Sequence, residues 1–261
     1  MKTRIILLIA VFCASYISSA AAGVDKHELL MLNTAKNLEY VSQKITKAYF
    51  YKQLNIRVDH AERDLQESLA NLKNGLLKLQ AGITGKEEKD IMAFLGYTHD
   101  EMLDILSKPY SKEHGALMID YGESLLEGAE FLSLQHRQKK QNGEEAMLVE
   151  TERLLFLLER INKLYIAHKA GFKDYNNIIQ IEQAVADFEN GMSKVNTYGR
   201  YPGKTQENVG KINKFWPMAK TFYLGKKGAL PTIVLASTDK LEHEVSALKK
   251  YHHQAAIGRK K

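Results

Sequence analysis

The chain has 261 residues, enough for one large domain or two modest ones. At 44% hydrophobic and 26% charged, with four prolines, it has the composition of a folded globular protein, which excludes disorder and collagen-like repeats. A single cysteine, Cys13, excludes an intrachain disulfide framework, a cysteine-based zinc cluster and c-type haem attachment. The net charge of +6 comes from interspersed Lys and Glu, which reads as a solvated surface, so no nucleic-acid partner is expected.

The first residues read as a leader. Met1 to Arg4 is basic, Ile5 to Ile17 is an apolar run of 13 residues, and Ser18-Ser19-Ala20-Ala21-Ala22 supplies small residues before Gly23. This is the pattern of a secretory signal peptide. A spanning helix needs about 20 apolar residues, so residues 1–22 are expected to be cleaved and the product to be soluble, periplasmic or secreted. Phe12 stands where a lipid-attachment site before Cys13 would carry Gly or Ala. Loss of Lys2 and Arg4 leaves a charge of +4. No later apolar run approaches spanning length, so the mature chain is expected to carry no transmembrane segment.

From there the hydrophobic pattern is helical. Leu32, Ala35, Leu38, Val41 or Ser42, Ile45, and Ala48 or Tyr49 form a stripe in the first segment. Val58, Ala61, Leu65, Leu69, Leu72, Leu76 and Leu79 form a narrow one in the second, suited to bundle packing. Breakers at Gly82 to Gly85, Lys108-Pro109, Asn142-Gly143, Gly171, Tyr198 to Gly203 and Gly225 to Gly228 predict eight helices near 26–55, 58–81, 86–107, 111–140, 144–170, 174–196, 204–224 and 229–254. Thr232 to Leu235 is assigned to a helix start because Pro231 suits a first helical turn.

The two halves also echo each other. At an offset of 116, Ile45 meets Ile161, Lys47 meets Lys163, Tyr49 meets Tyr165, Ala70 meets Ala186, Asn74-Gly75 meets Asn190-Gly191, Lys78 meets Lys194 and Met102 meets Met218. Near the ends the offset slips by one, so Leu126-Glu127 matches Leu241-Glu242. The pattern predicts an all-α fold of two tandem antiparallel four-helix bundles: residues 23–141 and 142–261, after the 1–22 leader. Whether the fourth and fifth helices fuse into one is open at this level.

The run Leu32-Asn33-Thr34-Ala35-Lys36-Asn37-Leu38-Glu39-Tyr40-Val41-Ser42-Gln43-Lys44-Ile45-Thr46-Lys47 resembles the first-helix motif of PilJ-type extracytoplasmic sensory domains, the input modules of type IV pilus chemotransducers and NarX-type nitrate sensors. Asn33, Ala35, Ser42, Gln43 and Lys47 match motif positions, Asp64 to Leu79 looks like the family's second helix, and Ala184 to Asn196 and Phe215-Trp216 look like its second and third helices in the other half. The resemblance implies a helical bundle that senses a small ligand, with Asn33, Asn37, Glu39, Ser42, Gln43 and Lys47 as ligand-binding candidates. It also implies a departure. The motif's second arginine position, whose arginine holds nitrate in the sensors, is Glu39 here and Leu155 in the second half, and its first arginine position is Asn37 here and Arg153 there. A carboxylate near a small anion is repulsive and costs desolvation, so a cationic or neutral ligand, or none, fits better than nitrate. Read from the helix alone, Gln43 and Lys47 flank the apolar stripe, either as a solvated edge or as an interhelical pocket.

Other chemistry is weak. No histidine has a Glu three residues away and no His-x-x-x-His pair exists, so no metal site is expected and the histidines read as surface residues. Gly82-Ile83-Thr84-Gly85-Lys86 has two residues between its glycines and Glu87 after the Lys, unlike a phosphate loop. No nucleophile elbow is present, and Phe215, Trp216, Phe222 and Tyr223 read as core. The expectation is a non-enzymatic binding protein with no catalytic residues and no cofactor, acting on a small-molecule ligand or docking on a membrane receptor, with a ligand-free envelope scaffold as the alternative.

Overall fold

A computed structural model of the chain describes residues 26–137, 143–173, 175–225 and 230–258. Residues 1–25, which include the expected leader, and residues 138–142, 174, 226–229 and 259–261 lie outside the described residues. The described residues are all-α: α1 Lys26–Gln53, α2 Val58–Gly82, α3 Lys86–Leu106, α4 Lys112–Gln135, α5 Gly143–Lys169, α6 Tyr175–Tyr198, α7 Gly203–Tyr223 and α8 Pro231–Gly258. No described helix is long and apolar enough to cross a membrane.

Local chemistry accounts for the ends. Ser111 caps α4 by accepting the His114 backbone N–H at 3.0 Å. Glu88 reaches back to accept the Gly85 N–H at 3.0 Å, which starts α3 directly after the Ile83–Thr84 link. Pro231 opens α8 as the first helical residue, so Thr232 to Leu235 is helical as expected. The fourth and fifth helices are separate: α4 ends at Gln135, α5 begins at Gly143, and the two run in opposite directions relative to α1.

Successive helices run antiparallel within each half, and each set of four closes on itself through contacts of α1 with α4 and of α5 with α8. The halves meet along α1 and α5, which lie parallel: Lys36 and Asn37 share a cavity wall with Glu152, Lys47 meets Glu159, and Tyr51 meets Asn162. α1 therefore packs on α2, α4 and α5, and α5 on α6, α8, α1 and, more lightly, α7. Their burial reflects it: 16 of 28 residues in α1 and 19 of 27 in α5 are buried, against 8 of 25 in α2. The apolar core runs without a break through both halves.

Contacts recur at an offset of 116. Gly75 lies against Leu38, and Gly191 against Leu154; a Cβ at either would come within 2.6 and 2.8 Å of the leucine Cδ2. Ile45 and Ile161 are both fully buried, and Asn74 and Asn190 are both exposed. His136 Nδ1 meets Glu28 at 2.8 Å, and His252 Nδ1 meets Glu144 at 3.0 Å. This last pair corrects the expected slip near the ends. α4 and α8 keep the 116 register against α1 and α5, so Leu125, not Leu126, corresponds to Leu241, and both are 1% exposed. Met102 and Met218 do not correspond: Met102 is buried and Met218 is 47% exposed. The α6–α7 link has four residues where the α2–α3 link has three, which moves the register by one, so that buried Ala219 takes the place of Met102.

Candidate functional site

Because α1 and α5 are enclosed, their polar residues cannot be solvated and must satisfy one another. Lys47 Nζ sits 2.9–3.0 Å from both oxygens of Glu159, and both side chains are fully buried. Asp64 of α2 approaches the same ammonium at 3.3 Å. Burial pushes Asp64 up, but Lys47 and Lys44 outweigh it and hold the carboxyl below its usual range. Lys44 stands 3.6 Å from both Asp64 and Glu242, and the Tyr40 hydroxyl donates to Glu242. Burial pushes the Glu242 carboxyl up to about 7.

The other side of the seam has different partners. Lys163, the counterpart of Lys47, pairs with Glu123 of α4, which Arg160 also holds at 3.1 Å. Arg160 donates further to Gln43 Oε1 at 3.3 Å and to Gln180 of α6 at 3.1 Å. Burial pulls the Lys163 ammonium down to about 8. Deeper along the seam Tyr51 donates to Asn162 Oδ1 at 2.7 Å, and Asn162 donates to Thr238 at 3.0 Å. These ion pairs and hydrogen bonds fix the register of α1 against α5.

The seam opens on one side into a cleft between α2 and α8. A cavity of about 300 Å³ lies there. α1 supplies Asn33, Thr34 and Asn37, and α2 supplies Asn71, Asn74 and Lys78, which share one helix face by their spacing. Glu152 of α5 and Lys249 of α8 close it, with exposed His253 at the rim. A second cavity of about 190 Å³ adjoins it beyond Asn37, Glu152 and Lys249, and Tyr40 lines it. Lys249 holds Glu152 Oε1 at 3.2 Å. Two buried oxygens, Asn33 Oδ1 and Glu152 Oε2, accept no hydrogen bond from the described residues. Burial raises the Glu152 carboxyl above its ordinary range despite Lys249.

The corresponding place in the second half carries two ion pairs. Arg153, at the position of Asn37, reaches Asp187, at the position of Asn71, at 3.1 Å. Lys194, at the position of Lys78, reaches Glu150, at the position of Thr34, at 2.7 Å. In the first half Thr34 is no carboxylate, and Lys78 has no acidic partner within 4 Å among the described residues.

The six residues singled out from the sequence therefore divide. Asn33 and Asn37 line the cleft. Ser42, Gln43 and Lys47 are fully buried in the seam, with no solvated edge: Ser42 donates to the Glu39 carbonyl at 2.7 Å, and Gln43 donates to Ser42 at 3.0 Å. Glu39 is 4% exposed and takes both its hydrogen bonds from Lys36, at 2.8 and 2.9 Å, so it is neither a solvent-facing residue nor an open anion on the midline. The sequence reading missed Asn71, Asn74, Lys78, Glu152 and Lys249, which three other helices bring to the cleft. The signal available was a difference between halves: at the offset of 116, Thr34, Asn37 and Asn71 stand where Glu150, Arg153 and Asp187 stand.

The histidines also differ from expectation. His136 and His252 are buried, each against a glutamate from the start of its half's first helix, because the last helix of each half ends beside that start. Among the described residues no group of three or more His, Cys, Asp and Glu side chains is arranged to hold a metal ion. Trp216 and Tyr223 are core residues, while Phe215 and Phe222 are partly buried against the core. No protein-family profile, curated protein or solved structure matches this chain.

Proposed function

We propose that the protein is an exported, non-enzymatic binding module that holds a small polar molecule in the cleft between α2 and α8, in the manner of the sensory domains that its α1 motif resembles. The observation that carries this reading is the contrast between the halves. Where the second half carries two ion pairs, the first has a cavity of about 300 Å³ lined by four asparagines with Lys78, Glu152 and Lys249. Small-ligand sites combine such a hollow with a few convergent polar groups. In this reading a ligand bridging α1, α2, α5 and α8 biases how the two four-helix sets sit against one another. A partner such as a membrane receptor would read that change through the surface the bundles present.

The test is a thermal-shift and nuclear magnetic resonance screen of the chain from residue 23 against amino acids, sugars, polyamines, small carboxylates, nitrate and nitrite. The expected result is saturable shifts at Asn33, Asn37, Asn71 and Asn74 for one chemical class, and none for nitrate or nitrite. Absence of cleft-localised binding by every class would overturn the reading in favour of a ligand-free scaffold.

A further inference from the structure

The geometry points to an α-amino acid, a small zwitterion carrying both an ammonium and a carboxylate, as the occupant of the α2–α8 cleft. The inference rests on the binding reading above and names the ligand class.

Two independent features of the cavity specify opposite charges. At its inner wall are two buried acceptors without donors, Asn33 Oδ1 and Glu152 Oε2. A buried acceptor left unpaired is costly, and here one belongs to a carboxylate that is 5% exposed. An ammonium group answers both, because it offers three N–H donors and the positive charge that a buried carboxylate lacks beyond its single contact with Lys249. A hydroxyl offers one donor for two acceptors and leaves the charge unanswered.

On the α2 wall the deficit is reversed. Lys194 in the second half has the carboxylate of Glu150 at 2.7 Å. Its counterpart Lys78 faces the position of Thr34, which supplies no negative charge. The fold thus keeps the cation and removes its anion, and it does so beside a cavity. A carboxylate from the ligand restores the pair that the second half makes internally. Asn74 and Asn71, whose amides both donate and accept, stand one and two turns away along the same helix face to hold the remaining polar atoms. The unpaired buried acceptors and the lysine without an acidic partner line the same cavity from different helices, and a zwitterion offers a group to each.

Calorimetric titration of the chain from residue 23 with each common α-amino acid tests this. Ethylamine, putrescine and acetate serve as probes carrying only one kind of charge. At least one amino acid should bind saturably, and the single-charge probes should bind at least 10-fold more weakly. Glu152→Gln and Lys78→Gln should each weaken binding at least 10-fold. Thr34→Glu, which gives Lys78 the carboxylate that Glu150 provides in the other half, should abolish binding while preserving the melting temperature. Lys78 is exposed, so its substitution keeps the test valid if the Glu152 variant folds poorly. Amino-acid binding unaffected by Lys78→Gln and Thr34→Glu would overturn the assignment, as would an amine or carboxylate that binds as tightly alone. If another class binds and Asn37→Arg with Asn71→Asp abolishes it, the amino-acid assignment falls and the binding reading stands. If nothing binds, both fall.

Discussion

Lys47 and Lys163 occupy corresponding places and are equally buried, but their surroundings give them different energetic roles. Lys47 neutralises Glu159, which has no solvent access. Truncating it strands a buried carboxylate, and breaking such a pair costs about 3–5 kcal/mol. Lys163 pairs with Glu123, whose side chain is 31% exposed and already held by Arg160. Removing Lys163 leaves that carboxylate with a cation and with water. It also removes an ammonium whose desolvation is only partly compensated, as its depressed titration near 8 indicates. Lys47→Met should therefore lose about 3–5 kcal/mol in urea unfolding, and Lys163→Met less than about 1 kcal/mol or even gain stability. Equal losses would mean that the seam does not distinguish the two lysines as described. Glu39 adds a smaller lesson: its burial is met within α1 by Lys36, so its charge is already neutralised.

Among the elements, α1 is governed more by its neighbours than by its own sequence. Its central stretch holds Ser42, Gln43, Thr46 and Lys47, none of which would specify a buried helix in isolation. They are tolerated because α2, α4 and α5 supply partners. α4 comes close at Gly122, where a Cβ would overlap the Thr46 hydroxyl, which itself donates to the Met118 carbonyl at 3.3 Å. The second half solves the same crossing differently, with Thr238 against Asn162 and a hydrogen bond between them. Gly122→Ala gains about 1 kcal/mol of helix propensity but overpacks a closed contact, which costs about 1–3 kcal/mol. The expected outcome is a net loss in thermal unfolding that Thr46→Ala on the same background largely relieves. A simple gain for the single variant would mean that α1 and α4 can part freely at that point.

Across the whole molecule, the two halves share one core and one charged seam. If they were independent domains, each would keep its own first helix covered when the other unfolded. Here α1 and α5 each lose a main packing partner if the other half melts, and Lys47 and Glu159 lose their pairing. Unfolding of one half should therefore bring down the other. Scanning calorimetry should show a single transition with calorimetric and van't Hoff enthalpies in agreement. Two separated transitions would show that the α1–α5 seam contributes little to stability.

The sequence by itself determined the helices and the repeat. Stripes at a spacing of three and four residues, interrupted by Gly, Pro and Asn, place all eight elements. Helix periodicity is a local property of the chain, so the interiors are legible. The ends differ by a few residues because caps decide them; α4, expected to reach 140, stops at Gln135. The 116-residue echo was legible through Ile45 and Ile161 and through the Asn-Gly pairs, whose packing does recur. What only the tertiary structure decided is which helix faces which. A lone amphipathic α1 would leave Gln43 and Lys47 at a solvated edge, and docking of α5 along it turns that edge into an interior. The candidate cleft is likewise a product of assembly, since Lys78, Glu152 and Lys249 come from segments far apart in the chain. No periodicity within one helix records that convergence. The difference between the two halves does record it, because the same fold placed two ion pairs in one and a hollow in the other.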